Sequence, residues 1–72
     1  MPKNEFQMLM VNGVAHPWVD GLTAGKLIDA LRLDQSTVVV ECNGKILTPA
    51  ALIESPLAAG DVVEIVHFVG GG

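Results

Sequence analysis

The sequence predicts an α+β fold, a mixed sheet of four to five strands packed on one helix. Three observations predict it. Asn12-Gly13 separates two β-rich runs, an apolar stripe at helical spacing occupies Thr23 to Leu33, and a β-branched run, Val62 to Val69, passes straight into Gly70-Gly71-Gly72. With 72 residues the chain has room for one small domain, residues 1–72, and 50% of it is hydrophobic, ample for a core and too much for a disordered chain.

The first strand candidate is Glu5 to Val11 (EFQMLMV). Phe6, Met8 and Met10 share one face and Gln7, Leu9 and Val11 the other; apolar residues on both faces predict a central rather than an edge position. Asn12-Gly13 tolerates the positive φ angles of a type I′ turn, so Val14 to Val19 (VAHPWV) should return antiparallel. Pro17 cannot donate to a ladder, which demotes this second strand to an edge. Trp18 is read as covering the margin of the core, with a partner-facing position as the alternative.

Thr23 to Leu33 (TAGKLIDALRL) is the one clear helix. Thr23 caps the first turn, and Leu22 and Leu27 stand at the spacing of a hydrophobic staple. Leu27, Ile28 and Leu31 form the stripe that faces a sheet, while Lys26, Asp29 and Arg32 point outward. Gly25 costs about 1 kcal/mol relative to alanine in a helix interior, less in the first turn.

A third strand is expected over Thr37 to Asn43, a turn at Asn43-Gly44-Lys45, and a short strand at Ile46 to Thr48. Pro49 opens a weak helical turn through Ile53 that Ser55-Pro56 closes, and Leu57 to Asp61 delivers the chain into the last strand. The economical packing puts the first and last strands in the centre, parallel to each other, because the long intervening stretch supplies the connection that parallel neighbours need.

Composition narrows the function. Eight carboxylate side chains against Lys3, Lys26, Arg32 and Lys45 leave a net charge of −4, the wrong sign for gripping nucleic acid and the right one for a basic protein surface. No apolar run approaches a membrane span, and the polar stretch Met1 to Glu5 lacks the apolar segment of a secretion signal, so a cytoplasmic location is expected. The single Cys42 excludes an internal disulfide and a cysteine-rich metal site.

The glycine end carries its own chemistry. Three glycines cannot pack, so they predict a flexible arm, and extended backbone would carry the carboxylate of Gly72 about 10 Å beyond the last anchored residue. Lacking Cβ atoms, such an arm threads a slot too narrow for any other residue. Its payload is the α-carboxylate, a poor electrophile until a partner enzyme attaches a leaving group. A linker scar is the bland alternative.

Val11-Asn12-Gly13, Val39-Val40-Glu41 with Asn43-Gly44, and Gly60 to Val66 ending in Phe68-Val69-Gly70-Gly71-Gly72 give the chain a resemblance from about Leu9 to Gly72. It resembles the β-grasp, ubiquitin-like fold, and within it the sulfur carriers of thiamine biosynthesis (ThiS-type), with the related molybdopterin-synthase small subunits behind them. The resemblance implies a protein substrate rather than an enzyme, with no cofactor bound. An E1-like adenylyltransferase (ThiF-type) using ATP and magnesium would adenylate Gly72, and a cysteine desulfurase route would supply sulfur. The resulting thiocarboxylate would pass its sulfur to a thiazole synthase (ThiG-type). A third glycine departs from the general pattern, which requires only two. Carriers serving molybdopterin or tRNA thiolation, and a non-covalent protein-binding β-grasp module, are the alternatives.

In the last strand Val63 and Ile65 should face the helix, which leaves Val62, Glu64, Val66 and Phe68 on the opposite face. Val66 and Phe68, with Glu64 adding charge, are the expected docking contacts, and Gly70 and Gly71 the threading arm. His16 and His67 fall on strands separated by the first, roughly 9–10 Å apart, too far to share a metal. Cys42 is read as a small buried hydrophobe, a sulfur shuttle being the alternative. No nucleophile–base pair or metal constellation is visible, so neither catalytic nor metal-binding residues are expected.

Overall fold

Five strands form one mixed sheet in the computed structural model, which describes residues 7–68. They are β1 (Met8–Val11), β2 (Val14–Pro17), β3 (Val38–Cys42), β4 (Lys45–Ile46) and β5 (Val62–His67), in the spatial order β2-β1-β5-β3-β4. Two helices, α1 (Ala24–Ala30) and α2 (Pro49–Glu54), and a 3₁₀ turn at Gln35–Thr37 complete it. β1 and β5 run parallel, Met10 beside Val62 and Val11 beside Val63, while β5 and β3 are antiparallel from Val38–His67 to Cys42–Val63. This is the expected β-grasp arrangement, with β5 in the middle and the Pro17 strand at an edge.

Both Asn-Gly turns form because their residues accept left-handed backbone. Asn12 and Gly13 have φ of 50° and 81°, and Asn43 and Gly44 have 52° and 85°, so each hairpin closes over two residues as a type I′ turn. The second hairpin is tighter than expected: Lys45 pairs with Cys42 as the first residue of β4 rather than belonging to the turn. Thr48 has left the strand and caps α2, accepting from the Ala51 amide at 3.1 Å, with Pro49 following at the first turn.

Helix α1 begins as predicted, with Thr23 Oγ1 accepting from the Lys26 amide. It ends earlier than the expected Leu33. Arg32 adopts φ of 61°, and the amides of Leu33 and Arg32 donate back to the carbonyls of Ile28 and Asp29, a Schellman closure made without glycine. Leu31 therefore caps the helix and is partly exposed instead of continuing the buried stripe. That stripe is Ala24, Leu27 and Ile28, all fully buried.

The core lies between α1 and one face of the sheet. Leu9, Val11, Val40, Val63 and Ile65 meet Leu22, Leu27, Ile28, Leu52 and Leu57 there. Each fully buried aliphatic side chain contributes about 1.5–3 kcal/mol relative to exposure. Trp18 packs against this core and donates from Nε1 to the Leu57 carbonyl at 2.7 Å. It occupies the core margin. Of the first strand's expected span, Glu5 and Phe6 lie outside the described residues and Gln7 precedes β1.

Candidate partner-docking site

The alternation that buries Leu9, Val11, Val40, Val63 and Ile65 sends their neighbours to the opposite face, which no helix among the described residues covers. On β5 that face carries Val62, Glu64 and Val66, with Phe68 just beyond the strand; Val62, Val66 and Phe68 are each about half exposed, at 49%, 54% and 57%. Cross-strand register extends the face. Val39 lies beside Val66, Glu41 beside Glu64, and Ile46 beside Glu41. Met8 and Met10 add their side chains from β1, next to Pro17 and Ala15 of β2.

The result is a sheet face that is apolar apart from two adjacent carboxylates. Several half-exposed apolar side chains grouped on one face make it the candidate docking surface. Val66, Phe68 and Glu64, singled out in the sequence, lie on it together. Met8, Met10, Val39, Glu41 and Ile46 were not expected among the docking contacts, because membership of the face depends on register between strands far apart in the chain. The signal for Met8 and Met10 was nevertheless present in their alternation with Leu9 and Val11. Gly70, Gly71 and Gly72, the expected arm and its reactive end, lie outside the described residues, as does Val69.

The start of β5 is pinned by a polar knot. Asp61 Oδ2 accepts from the Ala58 amide at 2.7 Å, and Oδ1 accepts from Asn43 Nδ2 at 3.0 Å. The Val62 amide donates to Asn43 Oδ1 at 2.9 Å, and the Cys42 thiol lies 3.7 Å from Asp61. Burial alone would raise the Asp61 pKa, but the hydrogen bonds from Ala58, Asn43 and Cys42 outweigh it and hold the carboxyl below its ordinary value.

Burial, and after it the Asp61 carboxylate, push the Cys42 thiol up. A thiol so placed stays protonated at neutral pH, which disfavours the sulfur-shuttle alternative. Its side chain is half-buried and packs against the core.

At the other end of β5 the Phe68 amide donates to the Thr37 carbonyl at 2.8 Å. Asp34 stands nearby, held below the usual carboxylate range by the Ser36 amide and hydroxyl, with the His67 charge adding to the effect. His16 and His67 occupy β2 and β5, with β1 between them. Among the described residues no group of three His, Cys, Asp or Glu is placed to hold a metal ion, and no helix is long and apolar enough to cross a membrane.

Fold and site together define a small β-grasp module that presents one uncovered sheet face beside its last strand. The chain belongs to the ThiS family, whose model matches residues 9–72. It is 41% identical over 66 residues to the sulfur carrier protein ThiS of Bacillus subtilis (strain 168), covering 90% of this chain and all of that one. The crystal structure of the thiamine biosynthesis protein ThiS from Geobacter metallireducens is similar at 39% identity and a TM-score of 0.70, covering 90% of this chain and 99% of the other. The solution structure of a thiamine biosynthesis protein from the same organism matches with the same identity and TM-score.

Proposed function

We propose that this chain is a sulfur carrier of thiamine biosynthesis, a substrate of its partners rather than an enzyme. The observation that carries the reading is the family match, which runs through β5 and on to Gly72. An uncovered apolar face on that strand supports it, because a partner acting on the end of the chain must first hold the body of the domain.

The chemistry runs in two displacements and a thiol reduction. A ThiF-type adenylyltransferase, using ATP and magnesium, joins the Gly72 carboxylate to the α-phosphate and releases pyrophosphate. The acyl-adenylate then has a good leaving group. Attack by the terminal sulfur of a persulfide formed by a cysteine desulfurase displaces AMP and gives an acyl disulfide. A second thiol then attacks the desulfurase-derived sulfur, is oxidised to a disulfide with it, and releases the thiocarboxylate. Its sulfur remains nucleophilic and tethered, and a ThiG-type thiazole synthase takes it into the thiazole ring without free sulfide being released. Gly70 and Gly71 form the arm that enters the partner's site, and Val66, Phe68 and Glu64 form docking contacts.

Intact-mass analysis after incubation with the adenylyltransferase, ATP and a sulfur source tests the chemistry; one oxygen should be exchanged for sulfur. Gly71→Val, or one residue added beyond Gly72, should abolish adenylation while leaving the fold unchanged by circular dichroism. Undiminished turnover in both variants would contradict the threading arm. Complementation of a thiamine-requiring strain separates this carrier from one serving molybdopterin or tRNA thiolation.

A further inference from the structure

The register of β3 and β5 sets two like charges side by side. Glu41 and Glu64 are directly opposite each other on the uncovered face. The ladder bonds from Phe68 to Thr37 and from Asn43 to Val62 fix the alternation, so Glu41 and Glu64 form a hydrogen-bonded pair with Cα atoms about 5.5 Å apart. Like charges at directly opposite positions destabilise a sheet. The surroundings sharpen the cost: Ile46 flanks Glu41, Val39 and Val66 form the next outer-face pair toward the end of β5, and Val62 stands on the other side of Glu64.

No described cation relieves the pair from within the sheet. Lys26 and Arg32 belong to α1 and its cap, across the sheet, and Lys45 pairs with Cys42 on the helix-side alternation. His16 and His67 pair with Leu9 and Val38, again on the helix side. Among the described strand residues, Glu41 and Glu64 are thus the ionisable groups of the uncovered face.

We infer that Glu41 and Glu64 together receive one arginine side chain from a basic, apolar-rimmed protein surface. The inference rests on the docking reading above and gives the partner a chemistry. A guanidinium presents a planar fork of donors wide enough for two neighbouring carboxylates, and its weak hydration suits an apolar ring better than an ammonium. When the partner closes, the ring excludes water and strengthens the contact. A second copy of this chain is the wrong occupant, since stacking two such faces gathers carboxylates without a counter-charge. An anionic lipid surface is repelled for the same reason.

The test exploits opposite signs in the free and bound states. Glu41→Gln/Glu64→Gln removes the repulsion, so the Tm of the free protein should rise. Binding to the adenylating enzyme should weaken at least about tenfold in Kd and lose most of its salt dependence. A double variant that binds as tightly as the wild type overturns the inference and leaves the carrier reading standing, provided the wild type is adenylated.

A wild type that is not adenylated sinks the carrier reading instead. Titration with N-acetyl-arginine amide, followed by nuclear magnetic resonance, then decides the inference alone. Shifts confined to Glu41, Glu64 and their neighbours, stronger than with the lysine analogue and lost in the double variant, support it. Equal response to both analogues, or shifts spread over the surface, refutes it.

Discussion

A Cβ added to Gly25 would meet the Leu52 carbonyl oxygen at 3.0 Å and Gln35 Nε2 at 3.1 Å. The glycine therefore lets the start of α1 sit directly against the backbone of α2, and its own carbonyl takes a long hydrogen bond from Gln35 at 3.4 Å. Sequence propensity argues the other way, because alanine gains up to about 1 kcal/mol over glycine in a helix, less in the first turn. Overpacking typically costs about 1–3 kcal/mol, and here the obstruction is partly backbone, which cannot swing aside. The second effect should win. Gly25→Ala is expected to destabilise by about 1 kcal/mol, read as a lower urea midpoint at unchanged slope. A raised midpoint would mean that α2 moves away freely and that the close approach has no structural weight.

At the scale of elements, β5 is held by the side chains of both hairpin turns as well as by its neighbouring strands. Asn12 Oδ1 accepts from the Ile65 amide at 2.7 Å while Nδ2 donates to the Ile65 carbonyl at 3.1 Å, so one side chain acts as an extra peptide unit beside the central strand. Asn43 does similar work at the start of β5. The turns themselves were legible in Asn-Gly, because positive φ is a local demand. The clips were not, because Asn12 and Ile65 are 53 positions apart and only the parallel β1–β5 register brings them together. The end of α1 was illegible for a local reason: Arg32, not glycine, takes the left-handed position. Asn12→Gly preserves the turn and removes the clip. It should cost about 1–3 kcal/mol, since two part-buried backbone groups lose their partners, and amide exchange at Ile65 should accelerate. Slow exchange retained at Ile65 would show that water or β1 replaces the side chain at no cost.

For the molecule as a whole, element order and hydrophobic alternation made the fold legible, and the same alternation on β5 pointed to Val66 and Phe68. What alternation could not supply was the lateral neighbourhood of that strand, so Glu41 and Ile46 joined the face only through register. Asp61 is where lateral neighbours matter most for the entire domain. It ties the Ala58 loop, the β3–β4 turn and the start of β5 together, and its carboxyl is held below the ordinary 3.8. The folded state therefore binds this proton less readily than the unfolded chain does. The stability it contributes is fully present above the unfolded value near 3.8 and is lost as pH falls from there through the lowered folded value. Asp34, lowered by Ser36, acts in the same sense. Asp61→Asn should be less stable than the wild type at neutral pH, because the amide places a donor against Asn43 Nδ2 and gives up the charge-assisted bond from Ala58. The gap should narrow as urea denaturation is repeated at successively lower pH and the wild-type carboxyl takes up its proton. Should the gap persist undiminished in acid, the knot depends on the shape of the aspartate side chain and not on its charge.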